Sequence, residues 1–258
     1  MNLSKMAENK PGKLYIGTSG FSNSSWKGIF YPEKTKSADF LAYYATQFNC
    51  SEINSSFYNF PLAKTVEKWN DVTPDDFAFC AKLHRSITHF GRLKTPEPKL
   101  EEFINRFAPM QKKLKQILVQ LPPSLKFEPE IVEAFYDALK PYQSEYNFAV
   151  EGRHLSWFTD ESFYLMRENN VTHVIGDAGK FYVGYQEVTT NTSYIRMHGR
   201  IKLFASSYTH EELDEYAHLI AEYLREGLEV FLFFNNTMYE AALENAFYIR
   251  EKIKGLLK

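Results

Sequence analysis

Cysteine is scarce. Cys50 and Cys80 are the only two in 258 residues, too few for a disulfide framework, and no CxxC pair or Cys/His cluster with zinc spacing accompanies them. Both sit in apolar, strand-like surroundings and are expected to be small buried hydrophobes. An excess of charge is also lacking: 30 Lys+Arg face 32 Asp+Glu, a net charge of −2, which disfavours duplex nucleic acid as a partner. Long apolar runs are missing too. The run 230–234 is typical, far short of the roughly 20 residues needed to span a bilayer. Residues 1–13 are polar, with no apolar core of a signal peptide, so a cytoplasmic protein without a membrane partner is expected. No internal repeat, linker or low-complexity tract divides the chain.

Hydrophobic residues make up 44% of the sequence and aromatics 16%, with 22 Phe and 17 Tyr, enough for a full core and bulky cleft walls. After a tail expected over 1–12, short apolar runs alternate with longer amphipathic stretches. The runs predict strands near 14–18, 50–54, 77–82, 117–121, 147–151, 173–176, 193–198 and 229–234. The stretches predict helices over 37–48, 62–70, 101–113, 129–139, 161–169, 210–225 and 238–254. Thr209 with Glu212, and Thr237 with Glu240, have capping-box spacing. Pro129 suits a first helical turn, and Gly227 suits a left-handed helix stop. Eight strands alternating with helices point to a parallel sheet under helices. In about 245 residues without a second compositional regime, an α/β fold of a single (β/α)8 TIM-type barrel over 13–258 is expected.

Such a barrel carries its chemistry at the C-terminal strand ends, and polar residues gather there. Glu52 and Asn54 end the second predicted strand, Lys82 and His84 the third, and Gln120 the fourth. Glu151, Arg153 and His154 end the fifth, with Trp157 just beyond. Asp177 ends the sixth, and Asn235 and Asn236 the eighth. The seventh ends Tyr194-Ile195-Arg196-Met197-His198-Gly199-Arg200. Strand alternation would put Arg196, His198 and Arg200 on one face. Buried charges need partners, so these groups should converge on one another or on a ligand. Any one of them serves as easily in a structural ion pair.

The order of these motifs resembles the YecE-like family, domain of unknown function 72. The resemblance rests on Tyr15-Ile16-Gly17-Thr18-Ser19-Gly20, Trp26-Lys27-Gly28, Glu52-Ile53-Asn54-Ser55-Ser56-Phe57-Tyr58, and Lys82 followed by Thr88-His89. It continues through Gln120-Leu121-Pro122-Pro123-Ser124, Glu151-Gly152-Arg153-His154, Arg196-Met197-His198-Gly199-Arg200 and Phe234-Asn235-Asn236. Phe21 and Gly152 depart from the family pattern. The resemblance implies a TIM-type barrel and no agreed reaction.

Four chemistries fit the constellation. The first is an enzyme, a hydrolase or isomerase, acting on a small anionic or phosphorylated molecule or nucleotide. Glu52 or Glu151 would be its general base, tuned by Lys82 or Arg153, and His198 its acid or proton shuttle. Asn54, Tyr58, His89, Gln120, Arg153, His154, Trp157 and Asp177 would contact substrate. Arg196, Arg200, Asn235 and Asn236 would hold a phosphate before the helix expected to be capped at Thr237. The second places a divalent metal among Glu52, Glu151, Asp177 and His198; nearby cations compete for those carboxylates, so the metal-free reading is preferred. The third is glycoside hydrolysis by Glu52 and Glu151. The fourth is a barrel that binds nucleotide or nucleic acid without turnover.

Overall fold

The computed structural model describes residues 11–182 and 184–258, so most of the tail expected over 1–12 lies outside the described residues. Eight strands form one parallel sheet: β1 Leu14–Thr18, β2 Cys50–Ile53, β3 Ala78–Lys82, β4 Leu114–Gln120, β5 Phe148–Glu151, β6 Val171–Asp177, β7 Thr192–Met197 and β8 Glu229–Phe234. Hydrogen bonding runs β1-β8-β7-β6-β5-β4-β3-β2. Among the described residues seven α-helices cover the outside: α1 Phe40–Gln47, α2 Ala63–Asp71, α3 Glu97–Phe107, α4 Pro129–Leu139, α5 Asp160–Glu168, α6 His210–Arg225 and α7 Ala241–Leu256. The fold is a TIM-type (β/α)8 barrel, irregular in that β6 passes to β7 with no helix among the described residues.

Alternation along each strand sorts the core into two layers. Tyr15, Cys50, Cys80, Leu118, Val174, Tyr194, Phe231 and Phe233 fill the barrel interior. Ile16, Ile53, Val119, Ile175, Ile195 and Leu232 pack outward with the helices. Tyr15 stacks on Phe231 at 4.5 Å, and Tyr194 lies 5.3 Å from Phe233. These aromatics plug the barrel below its mouth. Buried polar groups therefore crowd into the layer above them, at the C-terminal strand ends.

The barrel closes between β1 and β2 through side chains, since no ladder joins those two strands among the described residues. Asn49 accepts from the Ile16 N–H at 2.9 Å and donates to the Leu14 carbonyl at 2.8 Å, as a neighbouring strand would. Tyr44 accepts from the Thr18 N–H at 2.7 Å. The backbones come so close that a Cβ on Gly17 would sit 2.0 Å from the Cys50 carbonyl oxygen.

Several local expectations are met. The Thr209–Glu212 capping box opens α6, Gly227 has φ +89° just past its end, and Pro129 lies in the first turn of α4. Others move. The third helix runs Glu97–Phe107 rather than 101–113: it starts just after Pro96, and it stops where Ala108-Pro109-Met110 forms a tighter turn. The last helix begins at Ala241, behind an N-cap at Glu240, so the capping box expected at Thr237 does not form. Asn23 holds the Thr237 carbonyl at 2.9 Å, and Met238 donates to the Phe204 carbonyl at 3.0 Å, which keeps this segment outside the helix. No helix among the described residues is long and apolar enough to cross a membrane.

Candidate functional site

Arg196 occupies the centre of the polar layer, 1% exposed, among the largest fully buried side chains. Its Nε and Nη2 donate side-on to Glu52, at 2.9 Å to Oε2 and 2.6 Å to Oε1. Its Nη1 donates to Glu151 Oε2 at 2.6 Å. Tyr194 adds an O–H bond to Glu52 Oε2 at 2.7 Å. Burial alone would push both carboxyls up. The cations outweigh it, Arg196 at Glu52 and Arg153 with Arg196 at Glu151, so both sit below the usual carboxylate range, Glu151 well below.

His198 extends the network. Its Nε2 faces Glu151 Oε1 at 3.0 Å, and its Nδ1 faces Asn235 Nδ2 at 2.9 Å. The Asn235 amide donates, so Nδ1 accepts and Nε2 carries the hydrogen. That is the neutral imidazole, and burial pushes its pKa down to about 4 despite the Glu151 carboxylate. Arg153 touches the same Glu151 oxygen at 3.3 Å and lies 4.8 Å above the Tyr182 ring.

Arg200 does not join them. β7 ends at Met197, and Gly199 at φ +88° turns the chain out of strand geometry. The shared face expected for Arg196, His198 and Arg200 therefore stops at His198. Arg200 pairs with Asp177 at 2.7 Å and with Glu212 of α6 at 3.1 Å. Tyr216 also donates to Asp177 at 2.9 Å. Both arginines of the motif are thus committed to carboxylates. The phosphate cradle expected before α7 also lacks its cap, and the N-cap there is the acidic Glu240.

The mouth cavity, about 230 Å3, gathers Asn54, Tyr58, Lys82, Gln120, Arg153 and Asn235 over Arg196. Lys82 ends β3 with its ammonium 4.0 Å above the Phe57 ring. Among the described residues no carboxylate lies within ion-pair distance of it: Glu52 is held by Arg196, and Glu151 by Arg196, Arg153 and His198. Burial and then the Arg196 charge bring the Lys82 pKa down to about 7, against the opposing pull of Glu151 and Glu52. His89 stands nearby, edge-on to Phe57 at 4.8 Å, and burial with the Lys82 and Arg153 charges lowers it to about 4. The Arg153 Nε and Asn54 Oδ1 are buried with no hydrogen-bond partner.

Three expected contacts lie in the scaffold. His154 caps the turn at Leu155–Trp157 by accepting from the Ser156 N–H at 3.1 Å. Trp157 is 1% exposed and donates to the Leu125 carbonyl at 2.9 Å. Asn236 is fully buried and ties the Ser206 carbonyl to Asn245, at 3.0 Å each. Sequence reasoning missed Phe204 and Thr237, which line the mouth. Phe204 holds φ +64°, for which no sequence signal exists.

Two of the four chemistries lose their geometry. The Arg196 guanidinium bridges Glu52 and Glu151, where a glycosidic bond would have to sit. It also separates Glu52 from the Glu151–His198 pair, while Asp177 is bound to Arg200; no group of three metal-ligating side chains forms among the described residues.

The sequence profile of the family described as "Protein of unknown function DUF72" matches residues 15–256. UPF0759 protein YecE of Escherichia coli (strain K12) is 32% identical over 145 residues, 56% of this chain, and the match spans about half of that relative's length. UPF0759 protein YunF of Bacillus subtilis (strain 168) is 26% identical over 90% of this chain and 92% of its own. Among solved structures, a DUF72 family protein from Thermotoga maritima superposes with a TM-score of 0.81 at 31% identity, covering 94% of this chain and 99% of that one.

Proposed function

The chain belongs to the DUF72 family, a family of unknown function, and from that premise we propose that the barrel mouth binds a small anionic molecule, phosphorylated or carboxylated, and works on it by proton transfer. Lys82 is the proton carrier. Arg153, Asn54, Gln120 and Asn235 hold the ligand. Glu52, Glu151, Arg196 and His198 form the fixed floor that sets the local field. One observation carries this reading: among the described residues Lys82 faces the cavity without a counter-ion, while both nearby carboxylates are taken by Arg196.

Two features support an anion. With Arg196 cancelling one carboxylate and Arg153 the other, a protonated Lys82 leaves the mouth with one excess positive charge. The loop between β3 and α3 adds Arg85, Arg92 and Lys94 with no acid before Glu97, so the approach is basic although the chain is net acidic. A general acid or base works best with a pKa near the operating pH, where Lys82 lies and the two glutamates do not. A cytoplasmic setting is part of this reading.

Thermal unfolding with inorganic phosphate tests it. Phosphate should raise the midpoint more at pH 6 than at pH 9, because an anion favours the charged Lys82. Arg153→Ala should lose the effect and Arg200→Ala should keep it. Equal shifts in all three proteins would overturn the assignment.

A nucleotide or single strand held without turnover is a second reading. It draws on Arg85, which lies 5.4 Å from Tyr58 and 5.5 Å from Phe90, two rings exposed by 55% and 73% at the rim. Exposed aromatics flanked by arginine suit base stacking, and a steep fall of affinity with salt would be its signature.

A further inference from the structure

We propose that Lys82 is a carbonyl-capturing nucleophile, and that the anion it serves is a small aldehyde or ketone bearing a carboxylate or phosphate. This rests on the reading of the mouth as an anion site and names the substrate class for it.

A lysine elsewhere, buried where Lys82 is half-buried, supplies the contrast. Lys113 is 6% exposed, and its ammonium donates to the Asn70 carbonyl at 2.6 Å, the Thr73 carbonyl at 2.8 Å and Thr73 Oγ1 at 3.2 Å. All three of its contacts are to fixed oxygens of the scaffold, away from any cavity described above. Lys82 makes no such bonds among the described residues. It sits against an aromatic face, beside two cations, at the C-terminal end of a barrel strand. A desolvated amine next to another cation is how a lysine becomes a nucleophile at neutral pH. The groups facing Lys82 come from three elements and two loops: Glu52 on β2, Glu151 on β5, Arg196 on β7, Arg153 after β5 and His89 after β3. Burial and the four charged groups among them bring its pKa to about 7.

Two residues that line the cavity also carry buried polar atoms without a partner. Arg153 Nε is a buried donor without an acceptor, which suits a carboxylate or phosphate oxygen. Asn54 Oδ1 is a buried acceptor without a donor, which suits a hydroxyl. A cavity of about 230 Å3 falls below the roughly 300–1,000 Å3 of sites for drug-sized ligands, so it suits a molecule of a few carbons.

The step balances without a co-reactant. The neutral Nζ attacks the carbonyl carbon, and the C=O π electrons move to oxygen, giving a carbinolamine. The carbon–oxygen bond then breaks, and both amine hydrogens leave with the oxygen as one water. The product is an imine that makes its neighbouring carbon acidic, and hydrolysis reverses it.

Reductive trapping tests the proposal. The full chain is incubated with pyruvate or with glyceraldehyde 3-phosphate at pH 8, with sodium cyanoborohydride to reduce any imine to a stable amine, and the adduct is mapped by mass spectrometry. One adduct is expected, on Lys82, forming on the order of a hundredfold faster than at surface lysines, which remain protonated at that pH. Lys82→Arg should give none while keeping the wild-type circular dichroism spectrum. Trapping spread over surface lysines, or none at Lys82, would overturn the nucleophile. A parallel acetylation-rate profile separates the nucleophile from the proton carrier. A Lys82 midpoint near 7 without trapping leaves the proton carrier standing and removes the imine. A midpoint near 10 removes both.

Discussion

Arg196 meets Glu52 side-on, Nε to Oε2 at 2.9 Å and Nη2 to Oε1 at 2.6 Å, with both side chains essentially inaccessible to water. Their Cα atoms are 144 residues apart in sequence, on β7 and β2, so the pair ties opposite walls of the barrel. Removing one partner of such a buried pair leaves an uncompensated charge, at a cost of about 3–5 kcal/mol. Arg196→Met strands two carboxylates and should reach at least that range in urea unfolding at pH 7. A loss below about 1 kcal/mol would mean that the carboxylates are not ionised against it.

Arg200 behaves differently. It is 29% exposed and pairs with Asp177 and Glu212 across the β7–α6 boundary. Arg200→Ala should cost about 1 kcal/mol, since solvent screens the pair, and should leave the phosphate response of the mouth intact. The same urea titration and phosphate-dependent melting measure both.

Acid should destabilise the protein well before the carboxylates titrate. Burial holds His198 and His173 neutral, each with its pKa lowered to about 4, whereas an unfolded histidine takes up its proton near about 6.5. Between those values the unfolded chain binds protons that the folded chain refuses. Stability therefore falls as pH drops from about 6.5 toward 4, by on the order of 3 kcal/mol per histidine. Below that, the depressed Glu52 and Glu151 take over, and their contribution is lost as pH falls through their folded values. Unfolding free energies at pH 7, 6 and 5 should show this slope, and His173→Asn should reduce it by one proton.

Lys82 should cost stability. Its folded pKa near 7 lies below the unfolded value of about 10.4, so folding is penalised at and below pH 7, and the penalty fades as pH rises toward 10. Lys82→Met should raise stability by about 2 kcal/mol at pH 6, as functional positions often do when neutralised, and should abolish the phosphate response. A destabilised Lys82→Met at pH 6 would make the lysine a structural element.

Closing the barrel by a side chain has its own test. Asn49→Leu removes the acceptor for the Ile16 N–H and the donor for the Leu14 carbonyl, and two unmet backbone groups should cost about 2–4 kcal/mol in urea unfolding.

The fold was legible because its signals are local. Short apolar runs bounded by polar strand ends located all eight strands, and β1, β8, α4 and α6 have the expected bounds. The polar layer was legible as well, because strand alternation places Glu52, Glu151 and Arg196 inward. The division of labour among them was not. Whether a guanidinium is free or committed depends on which carboxylate lies across the barrel, and Glu52 and Arg196 are too far apart in sequence for spacing to show it. Gly199 breaks the alternation after His198, and only its positive φ reveals that Arg200 leaves the group. Thr237 and Glu240 have capping-box spacing, yet contacts from Asn23 and Phe204 hold that segment in the loop. Asn49 gave no signal, since its side chain stands in for ladder bonds between β1 and β2 that only the closed barrel calls for.

The titration of Lys82 decides the matter most directly. In lysine labelled with 13C, the Lys82 Cε resonance, assigned by its disappearance in Lys82→Arg, can be followed from pH 5 to 11. The account predicts a midpoint near 7 that moves upward when inorganic phosphate is added. A midpoint above 10 that does not respond to phosphate would contradict it.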